Sequence, residues 1–227
     1  MILFIGVIRM NLYVVVEGVV ETIVYPDWIS IVNEDLKKVS YLDEVVDNNY
    51  ILFSAGGYPN VFNVIDSAVE DISESALFDR LVVAMDAESF SYNERYDEIY
   101  NHLLQKKVKV DFKIIIQNPC FEAWALGNSG IAPRNPSDEK LKKYKRIFDI
   151  LRKDPETIPD LPEEQLNKAQ FSYEYLKLAI RDKGQHLHYS KNSPKLVCHP
   201  KYFSSLKERM EKKNHIRSFN DFITAFI

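Results

Sequence analysis

Short continuous apolar runs alternate along the chain with longer stretches in which apolar residues recur every three or four positions. "NLYVVVE" (11–17) is β-branched with no polar alternation, the mark of a strand covered on both faces. From Gly18 into the thirties, Val19, Ile23 and Trp28 recur at roughly helical spacing and predict a first helix. The pairing then repeats. "NYILFSAGG" (49–57) reads as a strand and "NVFNVIDSAVEDI" (60–72) as a helix, with Gly56 and Gly57 making the turn. "RLVVAMDAES" (80–89) is a third strand, followed by a polar helix through "YNERYDEIYNHLLQKK" (92–107). "KVDFKIIIQNP" (109–119) is a fourth strand, and Pro119 turns the chain into a helix beginning near "CFEAWAL" (120–126). This alternation predicts an α/β fold: a parallel, Rossmann-like sheet with helices on both faces, joined by right-handed crossovers.

Five of the ten prolines (Pro133, Pro136, Pro155, Pro159, Pro162) fall in 129–162, which reads as an insertion or linker. Beyond it, 163–183 has helical periodicity and 214–227 reads as a closing amphipathic helix. The expected organisation is therefore an α/β core over 1–128, a Pro-rich segment over 129–162, and a basic, mainly helical part over 163–227 that completes the domain. The opening "MILFIGVIRM" is apolar but too short to span a bilayer, and reads as an extra strand or as residues ahead of a native start at Met10. Cys120 and Cys198 are far apart and form no CxxC pair, so neither a disulfide framework nor a structural zinc site is expected. A soluble, cytoplasmic protein with no membrane partner is the expectation.

Charge changes this picture. The net charge is −4, but residues 1–133 carry 9 Lys+Arg against 20 Asp+Glu, a net of −11, while residues 134–227 carry 20 against 13, a net of +7. An acidic half can hold cations and a basic half can meet phosphates. Within 183–217 there are nine Lys+Arg, and "GQHLHYSKNSPKLVCHPKYF" (184–203) interleaves them with aromatics in a pattern that suits a phosphate backbone and unpaired bases. Lys191 and Lys195 are the candidates to stabilise charge on a phosphoryl group. His186 and His188 lack a convincing third ligand for zinc.

In open α/β sheets, ligands bind beyond the carboxyl ends of the strands. Three of the four expected strands end there in acid: Glu17 after the first, Asp86 and Glu88 after the third, and Glu122 just past the fourth. Glu21, one helical turn beyond Glu17, is a fifth candidate ligand. Carboxylates with no cation among them repel, and a hard divalent ion, Mg2+ or Mn2+, turns that repulsion into coordination. Gly18 is expected to let the chain turn tightly beside such an ion. Cys120, directly after Pro119 and with no partner histidine, reads as a packed thiol.

"VVVEGVVET", "LVVAMDAES" and "IIIQNPCFEAWAL" together resemble the TOPRIM domain, and specifically the RloB-like group of small TOPRIM proteins related to the OLD-family nucleases. The resemblance covers about residues 11–128, and NPCFE-x-W is its most specific part. It implies that Glu17 matches the glutamate after the first TOPRIM strand and that Asp86 and Glu88 match the DxD after the third, with Glu88 departing from the usual aspartate. Glu122 matches the acid of the NPCFE segment. The implied function is a metal-dependent nuclease cutting DNA or RNA, tRNA among the candidates, as the effector of an anti-phage defence system with a partner ATPase. The alternatives are a non-catalytic TOPRIM module that binds nucleic acid or that ATPase, and a primase-like nucleotidyl transferase.

Overall fold

The computed structural model describes residues 10–227. The expected extra strand or alternative start falls on residues 1–9, outside the described residues. Five strands, β1 (Leu12–Val16), β2 (Lys37–Lys38), β3 (Asn49–Ser54), β4 (Arg80–Asp86) and β5 (Asp111–Gln117), form one all-parallel sheet in the order β2-β3-β1-β4-β5. The helices of the first half are α1 (Val19–Val32), α2 (Val61–Ser75), α3 (Tyr92–Gln105) and the short α4 (Phe121–Ala125). The protein is thus an α/β fold with a Rossmann-like sheet. β3 lies on one side of β1 and β4 on the other, so the strand order reverses at β1/β4 and opens a crevice beyond their carboxyl ends.

The pleat divides the core in two. Tyr13 and Val15 of β1 face a layer built by α2 and α3, with Ile65, Ile72, Ile99 and Leu103 buried there. Leu12, Val14 and Val16 face the opposite layer, which holds α1 and everything after β5. This second layer is the larger. The chain continues through α5 (Glu139–Ile147), α6 (Lys168–Lys183), α7 (Lys195–Cys198), α8 (Pro200–Lys213) and α9 (Phe219–Ala225). An aromatic cluster seals it: Trp28 meets Phe121, Phe203, Phe219 and Phe222 at 5.4–5.7 Å between ring centroids. Buried indole and phenol groups need acceptors, and they find them across the seam. Trp28 donates to the Val197 carbonyl (3.0 Å), Trp124 to Ser218 Oγ (2.8 Å) and Tyr202 to the Ala125 carbonyl (2.7 Å).

Four expectations change here. The buried stripe of α1 is Val20, Val24, Tyr25, Trp28 and Ile29, with α7 and α8 packed against the helix as well as the sheet, whereas Val19 is 47% exposed. The segment 129–162 is no open spacer: it contains α5 and sends Leu141, Tyr144, Phe148, Ile150, Ile158 and Leu161 into the same core. β2, an exposed two-lysine edge strand, carries no apolar signal at all, and lysines on an edge discourage further strand pairing. Arg209, counted with the basic tail, is 5% exposed and donates to the carbonyls of Gly127, Ile150 and Lys153, so it ties α8 to the core instead of meeting phosphate. No helix among the described residues is long and apolar enough to cross a membrane.

Candidate functional site

The carboxyl ends of β1, β4 and β5 bring four of the five expected acids to one place. Glu17 follows β1, and its backbone N–H donates to the Ala84 carbonyl of β4, which carries the pairing one residue past the strand. Its carboxylate accepts from the Asp86 N–H (3.0 Å). Asp86 ends β4 and accepts from the Phe121 N–H at the start of α4 (3.1 Å). Glu122, in the first turn of α4, is 1% exposed and accepts from the Tyr189 hydroxyl (3.0 Å). Glu21, on the first turn of α1, is 2% exposed, and its Oε2 has no hydrogen-bond partner.

Gln117, paired with Asp86 across the sheet, organises the group. In the orientation that satisfies its neighbours its amide donates to Glu21 Oε1 (2.9 Å) and Asp86 Oδ1 (2.6 Å), and accepts from the buried Tyr25 hydroxyl (3.0 Å). Gly18 explains itself through Glu21. Its backbone is extended (φ −121°, ψ −174°), which any residue adopts, so the expected tight turn is not its role. A Cβ there would lie 3.0 Å from Glu21 Oε2: the glycine makes room for the unpartnered carboxylate.

Crowding shows in the acidities. Burial, then the charges of Glu122 and Glu17, push Glu21 up to about 7. Burial, then Glu21, Glu17 and Glu122, hold Asp86 well above the usual carboxylate range. Burial raises Glu17 as well, with Glu88 adding to it, while the Asp86 N–H, Arg95 and Lys191 oppose. Lys191 is the nearby cation; partial burial pulls its pKa down, but Glu122 and Asp86 outweigh that and leave it raised.

Asp86, Glu88, Glu122, Cys120 and Lys191 share the wall of a cavity of about 380 Å³, with Asn167, Gln170 and Tyr173 of the α6 region opposite. Glu88 is exposed and its backbone sits in the left-handed region (φ 51°), a conformation that costs a non-glycine residue and clusters at functional sites. Its N–H donates to the Pro119 carbonyl (2.7 Å). Lys191 reaches the cavity from a tight turn closed by Ser193 N–H on the Ser190 carbonyl, and buried Tyr189 pins that turn to Glu122. Lys195, exposed at the start of α7, is not among the cavity's lining residues. Cys120 is 1% exposed and burial pushes its thiol well up, in keeping with a packed side chain. A larger cavity of about 660 Å³ lies among α3, α8 and α9, but it contains none of the five acids.

The oxygen-only donor set and the orphaned Glu21 Oε2 suit a hard divalent cation. As the side chains stand, no three His, Cys, Asp or Glu among the described residues are gathered into an arrangement that would hold an ion. Gln117, Tyr25 and Arg95 escape the sequence reading as site residues, and Tyr189, part of the aromatic and basic stretch 184–203, is buried against Glu122 instead of being free to stack on bases. Gln117 alone had a usable signal, a polar residue closing a buried parallel strand. The chain matches no protein-family model, no curated protein and no solved structure. The TOPRIM resemblance therefore rests on its own motifs.

Proposed function

We propose that this chain is a Mg2+- or Mn2+-dependent phosphodiesterase that cuts nucleic acid. The observation that carries the reading is the buried carboxylate cluster at the strand-order reversal, in which Glu21 Oε2 is held without any donor beside Glu17, Asp86 and Glu122. A protein tolerates such a group at a cost of about 1–3 kcal/mol, and a cation would offset it. Glu17, Glu21, Asp86 and Glu122 would hold the ion, with Glu88 at the open rim. When bound, a divalent ion supplies a Lewis acid for the phosphoryl oxygens and a water acidified enough to attack.

The chain's own residues do the rest. Gln117 fixes Glu21 and Asp86 in one orientation, and Tyr189 fixes Glu122. Lys191 holds positive charge over the cavity, where a phosphate displacing water would meet it. Glu21, pushed up to about 7, can hold a proton near neutrality, and a cation would compete that proton off; burial and the neighbouring acids raise Asp86 in the same direction. A TOPRIM-type nuclease working beside a partner ATPase in anti-phage defence is the biological form of this proposal, supported by the three sequence motifs.

The test is a cleavage panel of duplex DNA, single-stranded DNA and tRNA with Mg2+, Mn2+ or excess EDTA. Cleavage that needs metal and disappears in Glu17→Ala and Asp86→Ala, with both variants still folded, supports the proposal. Cleavage at an unchanged rate in chelator, or full activity in both variants, refutes it. Metal-independent binding of nucleic acid with no cleavage of any substrate makes the chain a non-catalytic module.

A further inference from the structure

One cation whose charge opposes the rise of Glu17 is paired outside the carboxylate cluster. Arg95, on the first turn of α3, is 1% exposed, and its guanidinium lies between two aromatic rings, 4.8 Å from the centroid of Tyr58 and 4.3 Å from that of Phe90. One end of it pairs with Glu98, which also receives the Tyr58 hydroxyl at 3.4 Å, while its Nε has no partner. The rings it joins are not core residues: Tyr58 is 48% and Phe90 45% exposed.

Their placement ties them to the acids. Tyr58 follows Gly57, whose N–H donates to the Glu17 carbonyl (2.9 Å). Phe90 comes two residues after Glu88, with its N–H on the Ala87 carbonyl (3.0 Å) and its own carbonyl accepting from Lys168 Nζ (2.9 Å). Both rings thus stand on the loops that leave the sheet beside Glu17 and Glu88, with the Arg95 guanidinium over both and Lys168 adding positive charge.

We infer that the Tyr58–Arg95–Phe90 stack is a platform for unpaired nucleobases, and that the substrate class of this site is single-stranded nucleic acid. The inference rests on the nuclease reading for its choice of ligand. A duplex keeps the faces of its bases stacked inside the helix and offers exposed rings nothing to pack against. A single strand offers a π-face at every nucleotide, and aromatic platforms flanked by cations are how proteins hold it without reading sequence. The Arg95 guanidinium lies over both rings and holds them near each other before any ligand arrives, which reduces the entropy cost of stacking. Bases seated there would lead the backbone toward Glu17 and Glu88.

The experiment measures binding by fluorescence anisotropy, with Ca2+ in place of Mg2+, of a labelled oligonucleotide and of the duplex of the same length. The full chain is compared with Tyr58→Ala, Phe90→Ala and the aromatic-retaining Tyr58→Phe and Phe90→Tyr, each checked for folding by thermal melting. The wild type is expected to prefer the single strand, and each Ala variant to lose roughly five- to hundredfold of that affinity, with the salt dependence unchanged because stacking releases no counterions. Phe and Tyr replacements should retain it. Equal binding of duplex and single strand, no binding of either, or Ala variants indistinguishable from wild type overturns the platform; metal-dependent cleavage persisting in that case leaves the nuclease reading intact. A single-strand preference lost in the Ala variants, with no metal-dependent cleavage of any substrate, upholds the platform and removes the nuclease reading.

Discussion

Glu21→Gln separates a metal ligand from a structural acid by the sign of its effect on stability. At pH 8 the Glu21 carboxylate, whose pKa burial lifts to about 7, is ionised, 2% exposed and without a donor on Oε2. Glutamine keeps the oxygen that Gln117 bonds and removes the charge that Glu122 and Glu17 repel. Leaving a buried polar group unsatisfied costs about 1–3 kcal/mol, more when charged. In EDTA at pH 8 the variant should therefore be more stable than wild type by about 2 kcal/mol, or about 4–8 °C for a chain of this size. The advantage should shrink toward pH 5. A carboxyl whose pKa is raised on folding contributes stability fully below its unfolded value near 4.5 and loses it as pH rises through about 7. Millimolar Mg2+ or Mn2+ should then raise the melting temperature of the wild type more than that of the variant. Thermal melts at pH 5 and pH 8, with chelator and with metal, read all four numbers. A variant that is less stable in EDTA at pH 8 and responds to metal as the wild type does would refute the assignment of Glu21 as a ligand held in readiness.

Other consequences are as direct. Glu156 accepts two bonds from Ser218, yet burial pushes it up to about 7, so it too favours folding most strongly below pH 4.5 and loses that contribution as pH rises through 7. Glu156→Gln should flatten the decline in urea-denaturation stability between pH 5 and pH 8 by at most about 3 kcal/mol. Arg209→Ala should cost about 3–5 kcal/mol in the same assay, because two buried carbonyls and the partly buried Lys153 carbonyl lose their donor, and should leave the salt slope of nucleic-acid binding unchanged. Lys191→Ala should lower metal-dependent turnover about 100-fold while Lys195→Ala stays within about twofold, since only Lys191 reaches the carboxylate cavity. Equal losses for the two lysines in a steady-state assay would remove Lys191 from the site.

Strands buried on both faces were the most legible part of the chain, because β1 and β4 leave no polar position between Leu12 and Val16 or between Leu81 and Met85. The acids at their ends followed from the same pattern. α1 was placed correctly, but of the three residues that marked it only Trp28 is fully buried: a helix packed by the sheet on one side and by α7 and α8 on another is apolar nearly all round, and its periodicity blurs. α5 hid for the opposite reason. Its nine residues contain five Lys and Arg, and only Leu141 and Tyr144 are buried, too few for a pattern to emerge among the charges and nearby prolines. Within the basic tail, counting charge treats all cations alike, whereas Arg209 is spent inside the fold and, of the two candidate lysines, Lys191 lines the cavity of the acids and Lys195 does not.

The deeper limit concerns what a site is made of. Acids at strand ends can be found from sequence because the sheet fixes where every strand stops. The groups that make those acids unusual come from elsewhere: Tyr189 and Lys191 from a turn some seventy residues after Glu122, and Arg95 from a helix on the opposite face of the sheet to α1. The basic and aromatic interleaving of 184–203 marks Lys191 and Tyr189 as candidates for a phosphate, but no local pattern marks Arg95 or ties any of the three to the acids, because that placement arises only when the carboxyl-terminal layer folds back over β1 and β4. That layer therefore does more than complete a core. By burying Glu21 it raises the cost of that charge, and by presenting Lys191 it supplies a positive charge that opposes the rise at Glu17, Glu21 and Asp86, so the same packing that stabilises the aromatic seam creates the cluster's demand for a cation.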